Sequence, residues 1–163
     1  MSVEVTPGGT RGFRPPKMPG PLVAAFTGLG RLAYRLMGDR MRVQGRPLLI
    51  LETVGARSGR SRSAILGWFP DVSDPARESW LVVASYGGAA RHPAWYLNLA
   101  RNPDKVWVQV GDRKVKVRAE SLKGAERVQA WERVVQLAPG YARYQEKTDR
   151  EIPIVRLSAV SQG

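Results

Sequence analysis

The chain contains no cysteine, so it has neither a disulfide framework nor thiolate chemistry, and any metal site would have to be built from histidine and carboxylates. With one histidine, His92, the expectation is a protein that holds no metal. Long apolar runs are also missing, and the first 20 residues lack the apolar core of a secretory signal, so a cytoplasmic protein is expected. Acidic residues are scarce: 14 stand against 26 Lys and Arg, for a formal net charge of +12. The imbalance is concentrated in residues 1–62, which hold eleven basic and three acidic residues, or +8 of the +12. Nucleic acid, an anionic membrane surface, or a phosphorylated and carboxylated small molecule would each suit such a patch.

What is present is enough for one core. The chain has 163 residues, 43% hydrophobic and 25% charged, which is an ordinary globular composition of single-domain length. Residues 1–20, rich in proline and glycine, read as a flexible N-terminal arm, and 21–163 as a single domain. In 22–37, Leu22, Phe26, Leu29, Ala33 and Leu36 recur at helical spacing, with Arg31 and Arg35 on another face, so this amphipathic helix is expected to pack its apolar stripe over the core. Apolar runs predict strands over 47–54, 63–69 and 80–85, and 92–102 reads as a short helix closed by Asn102-Pro103. Val106–Val110 and Arg113–Arg118 alternate around Gly111-Asp112, the signature of a hairpin whose valines face inward. A helix over 124–137 and a last strand over 152–160 complete the order. With no succession of β-α units, a mainly β (α+β) fold is expected: six mostly antiparallel strands in a small closed or split barrel, flanked by helices.

Three stretches could carry chemistry. Val54-Gly55-Ala56-Arg57-Ser58-Gly59-Arg60-Ser61-Arg62 is a glycine-punctuated basic loop whose N–H groups and guanidinium forks can hold phosphate or carboxylate oxygens, although a solvated basic turn has the same composition. Ala84-Ser85-Tyr86-Gly87-Gly88, followed by Arg91-His92-Pro93-Ala94-Trp95-Tyr96-Leu97-Asn98-Leu99, offers a paired-glycine bend that a flat ring can approach and a helix N-terminus beside it. His92 reads as a capping or hydrogen-bonding residue rather than a base. In Tyr141-Ala142-Arg143-Tyr144-Gln145-Glu146-Lys147-Thr148-Asp149-Arg150, the Tyr141 and Tyr144 phenols share one helical face and could line a pocket or pack on the core.

Taken in this order, the three stretches resemble the deazaflavin (F-420)-dependent nitroreductase and quinone reductase family of actinobacteria, from about Leu48 to Val155. The resemblance implies a split β-barrel of the FMN-binding type that binds coenzyme F-420, an 8-hydroxy-5-deazaflavin, and passes its hydride to a small electron-poor acceptor: a quinone, enone or nitroaromatic. It implies that Arg57, Ser58, Gly59 and Arg62 hold the phosphate or glutamyl end, and that Ser85, Tyr86, Gly87, Gly88, His92, Trp95 and Asn98 lie along the cofactor cleft. Ser85, Tyr141 and Tyr144 would act on the acceptor. Tyr86 stands where several members place a lysine, and Lys147 where some have a third aromatic, which leaves the acceptor open.

Two other classes remain at this point: an FMN-binding split-barrel oxidoreductase, and a basic nucleic-acid-binding barrel using Lys114, Lys116, Arg118 and Trp107. The first expectation is a small-molecule acceptor with no nucleic acid, in a monomer or weak dimer. Peripheral contact with the inner face of the membrane, through the N-terminal helix and its basic arm, is a further use left open.

Overall fold

The computed structural model describes residues 2–161, so Met1 of the expected arm and Gln162 and Gly163 of the expected domain lie outside it. Helix α1 (Gly20–Met37) leads through a short helical turn to β1 (Arg42–Val43), β2 (Arg46–Val54), β3 (Ser61–Pro70) and β4 (Ser79–Val83). Then come α2 (Ala94–Arg101), β5 (Trp107–Val110), β6 (Arg113–Ser121), α3 (Gly124–Leu137), α4 (Gly140–Lys147) and β7 (Ile154–Ala159). The strands lie in the order β1-β2-β3-β4-β7-β6-β5, and β5 pairs back onto β2. Six antiparallel strands therefore close a barrel, as expected, and closure removes the exposed edges.

Strand alternation explains why so many positions are apolar. Leu49 and Leu51 of β2, Trp80 and Val82 of β4, and Val155 and Leu157 of β7 point into the barrel with Tyr96, Leu99 and Val108. Their neighbours point outward yet are also covered: Leu81, Val83 and Ile154 meet Ala130 and Val134 of α3, while Leu48 and Ile50 meet Tyr34 of α1. Strands covered on both faces read as continuous hydrophobic runs. On β7, Arg156 is nearly enclosed and is answered by Asp71, Glu120 and Glu126.

The apolar stripe of α1 departs from expectation. Leu22, Phe26, Leu29 and Leu36 are 46%, 58%, 65% and 78% exposed, so they do not cover the core. The helix instead packs through Gly30, which rides over the Ile65 side chain, and Tyr34, which is 1% exposed. The Tyr34 hydroxyl donates to the Leu48 carbonyl at 3.1 Å and accepts from the Gly111 N–H at 2.8 Å. A polar aromatic can bury its ring only where its hydroxyl finds partners, and β2 with the β5–β6 turn supplies them.

Two further differences bear on the site. Strand β1 and its two-residue turn Gln44-Gly45, with φ of 50° and 73°, were not read from the sequence. The 80–85 run ends as a strand at Val83, because Tyr86, Gly87 and Gly88 turn to φ of 45°, 64° and 82°. Residues 2–19, expected as a flexible arm, contain no helix or strand of their own but lie against the barrel. Val3 joins the core, Gly9 N–H donates to Ala90 O at 2.7 Å, and Phe13 N–H donates to Gly88 O at 3.0 Å. Asp149 accepts from the Thr10 hydroxyl and the Thr10 and Arg11 N–H groups, which holds its carboxyl at about 2.

Candidate functional site

A cleft of about 800 Å³ opens between β3, the bend after β4, and helices α2 and α4. One wall is the β3 backbone from Arg62 to Gly67; the opposite wall is Ser85, Tyr86 and Gly87, continued by Trp95 and Asn98 of α2. Tyr141 and Tyr144 of α4 close one end, while Phe13, Val23 and Gln44 reach over the mouth. Of the residues expected to form the site, Arg62, Ser85, Tyr86, Gly87, Trp95, Asn98, Tyr141 and Tyr144 are brought together here.

The bend depends on Arg150, which is 2% exposed. Its guanidinium donates to the carbonyls of Ala89 (2.7 Å), Ala84 (3.1 Å) and Ser85 (2.8 Å). A rigid fork of five donors suits three converging carbonyls as no other side chain does. Gly88 lies behind the cleft wall: a Cβ there would sit 2.6 Å from the Tyr144 carbonyl oxygen, so this glycine makes room for α4. Gly87 faces the cleft, and a Cβ there would meet the Phe13 ring at 3.4 Å.

His92 is buried outside the cleft. Its Nε2 lies 2.6 Å from the Thr6 carbonyl and its Nδ1 lies 3.4 Å from Arg150 Nη1. A carbonyl only accepts and a guanidinium only donates, so Nε2 carries the hydrogen and the ring is neutral. Burial first, then the Arg150 charge, holds the imidazole below its ordinary value against the opposing pull of the Thr6 carbonyl. Asn98 orders the basic loop: its Oδ1 accepts from the Ala56 N–H at 2.9 Å and its Nδ2 donates to the Thr53 hydroxyl at 3.2 Å.

Arg57, Ser58 and Gly59 do not line the cleft. Ser58 Oγ accepts from the Arg60 N–H within the turn, and Gly59 supplies its φ of 67°. Arg57 borders a neighbouring recess of about 550 Å³ with Arg91 and His92, and this recess shares Tyr86 and Ala94 with the cleft. Arg91 also packs over the Tyr86 ring, 5.6 Å from its centroid. A recess edged by two arginines thus adjoins the apolar cleft at Tyr86 and Ala94. At the other end Tyr141 stands edge-on to both Phe69 and Tyr144, with centroids 5.4 Å apart in each pair. Burial, with the neighbouring Tyr144, pushes its phenol up, so it remains protonated.

Sequence reasoning missed Gln44, Phe13 and the positioning role of Arg150. Gln44-Gly45 carries the X-Gly pattern of a primed turn, a usable signal. The long-range contacts of Phe13 and Arg150 have no local signature.

A sequence model of the F420H(2)-dependent quinone reductases matches residues 33–159. The chain belongs to that family. An F420H(2)-dependent quinone reductase of Mycobacterium tuberculosis is 34% identical over 132 residues, covering 79% of this chain and 80% of that protein. Among solved structures, an F420-H2 dependent reductase (FDR-A) is 39% identical, with a TM-score of 0.58 over 69% of this chain and 94% of its own. Another, described as a domain-swapped dimer, is 34% identical, with a TM-score of 0.60 over 85% of this chain and 99% of its own. The barrel expected from the family resemblance is the barrel found. No helix among the described residues is long and apolar enough to cross a membrane.

A neutral His92 with a depressed folded value stabilises fully above the unfolded value of about 6.5, and that stability is lost as pH falls below it. Between pH 7.5 and 5.5 the Tm of the protein should therefore drop by more than that of His92→Gln. Parallel Tm profiles would contradict the neutral, buried assignment.

Proposed function

We propose that this F420H2-dependent reductase seats the ring of F-420 in the cleft beside the 84–89 bend and reduces a small electron-poor acceptor there, a quinone, enone or nitroaromatic. The carrying observation is that an aromatic-lined cleft adjoins an arginine-edged recess, the two sharing Tyr86 and Ala94. Trp95, Tyr141 and Tyr144 offer flat apolar surface in the cleft, and Arg62 with Arg57 and Arg91 of the recess offer guanidinium forks. A flat ring with a phosphate and oligoglutamate tail matches both halves, so the residues present fit the cofactor. Among the described residues no cluster suited to a metal ion occurs.

The chemistry that reduced F-420 supplies when bound is hydride transfer to the acceptor. The chain's own residues orient and exclude water. Arg150 fixes the Ala84–Ala89 backbone so that Ser85 and Gly87 form a rigid wall. Asn98 fixes the loop that carries Arg57 and Arg62. Ser85 lies on the cleft wall as a hydroxyl donor for negative charge developing on the acceptor oxygen, and Tyr144 is the proton donor to that oxygen. Tyr141, kept protonated by burial, backs Tyr144 and narrows the acceptor end.

The basic face of the nucleic-acid alternative lies on another part of the barrel, where Lys114 and Lys116 stand 6.0 and 5.8 Å from the Trp107 ring centroid and Lys114 pairs with Glu52 at 2.6 Å. Arg57→Ala with Arg62→Ala should weaken F-420 binding about tenfold or more, whereas Lys114→Ala with Lys116→Ala should change it by less than about twofold. Tyr144→Phe should slow menadione reduction about 10–100-fold with F-420 affinity unchanged. Fluorescence titration and stopped-flow kinetics read both; equal losses in the two double variants would overturn the assignment of the basic end.

The outward stripe of α1, together with the exposed Arg35 and the half-exposed Arg31, supports the peripheral contact with anionic membrane that the sequence left open. Vesicles containing anionic lipid should sediment the protein at low salt, and Leu29→Asp with Phe26→Asp should release it. Unaltered sedimentation of that variant would remove the helix from the contact. A concentration-dependent dimer in place of sedimentation would put a second copy on the stripe.

A further inference from the structure

Gln44 stands at the first position of the Gln44-Gly45 turn with φ 50°, a conformation that glycine, asparagine and aspartate adopt readily and glutamine does not. The turn itself gives no reason for glutamine. The side chain does: it reaches across the mouth of the cleft, and its Nε2 donates to the Tyr144 hydroxyl at 2.7 Å. Its Oε1 lies over the start of α4, where a Cβ on Gly140 would collide with it. Strain at a residue whose side chain enters a cleft points to a role in that cleft.

A phenol has one proton to give and accepts through its lone pairs. Because Gln44 occupies an acceptor position on Tyr144 Oη, the O–H is not spent on the amide nitrogen and is left to donate elsewhere. Both residues line the cleft. We propose that Gln44 is a positioning residue that turns the Tyr144 O–H toward the acceptor oxygen and stabilises the phenolate left behind. The inference rests on the assignment of Tyr144 as proton donor. As the O–H bond on the reduced acceptor oxygen forms, the phenol O–H bond breaks. The phenolate keeps the electron pair and the Gln44 N–H, and water then returns a proton to it.

Three substitutions separate position from bulk. In Gln44→Glu the carboxylate can only accept, so it draws the Tyr144 O–H to itself. Gln44→Ala leaves the phenol without that donor. Gly140→Ala displaces the amide from the first residue of α4, whose backbone conformation alanine also adopts. Two readouts are compared: tyrosine ionisation by ultraviolet difference titration of the cofactor-free protein, with Tyr144→Phe as the subtraction, and kcat and KM for menadione with reduced F-420. Tyr144 should ionise at higher pH in all three variants. The kcat should fall about tenfold in Gln44→Glu and about two- to fivefold in the other two, with F-420 affinity unchanged.

An unmoved Tyr144 titration in Gln44→Glu overturns the inference, because the hydrogen bond would then have no hold on the phenol. A shifted titration with unchanged kcat also overturns it, since the phenol would be positioned without serving the reaction. Full activity in Tyr144→Phe brings down the proton-donor assignment itself, an outcome distinct from the other two because it appears with Gln44 intact.

Discussion

The buried Arg150 guanidinium donates to three backbone carbonyls, and the shape of the cleft follows from that cluster of hydrogen bonds. Around the left-handed turn at Tyr86, Gly87 and Gly88 the carbonyls of Ala84, Ser85 and Ala89 converge on one buried position. One planar cation answers them together. The arrangement is demanding, because removing the donor takes a partner from three carbonyls at once, and only that of Ser85 keeps another in the Gly88 N–H. Burial draws the Arg150 value down, but a guanidinium remains charged at any pH the fold survives. The neutral ring of His92 adds no second positive charge beside it.

From that fixed bend the other parts take their places. Gly88 admits the backbone of α4, which brings Tyr144 to the cleft, and the same bend receives the N–H of Phe13 from the arm. Asp149, next to Arg150 in sequence, secures the arm through Thr10 and Arg11. Adjacent residues of opposite charge thus hold the arm and the bend. The barrel holds the β3 wall along one edge, since Ser61–Gly67 pair with β2, and Trp68–Pro70 beyond them pair with β4.

Local patterns were legible where local physics decides them. The β5–β6 hairpin follows from alternating valines about Gly111-Asp112, and α3 runs over 124–137 as expected, although it buries Ala130 and Val134. The amphipathic pattern of α1 gave the helix but not its orientation. A stripe of Leu22, Phe26, Leu29 and Leu36 has the same periodicity whether it meets a core or a partner, and Tyr34, read as neither, is the residue that docks. In the site, Ser85, Tyr86, Gly87, Trp95, Tyr141 and Tyr144 were legible through motifs in fixed order. Gln44 and Arg150 act across about a hundred and about sixty residues of sequence, and no window on the chain shows such a pairing.

The central claim is that the Arg150 fork preorganises the cleft. Arg150→Lys keeps the charge but offers a point donor in place of a fork, so hydrogen exchange at the Gly88 and Ala89 amides, followed beside F-420 affinity in this variant, tests the claim most directly. Those amides should exchange at least about tenfold faster and F-420 binding should weaken by a similar factor, while barrel amides such as Val82 and Val155 keep their protection. Unchanged protection at the bend with native affinity would contradict the account.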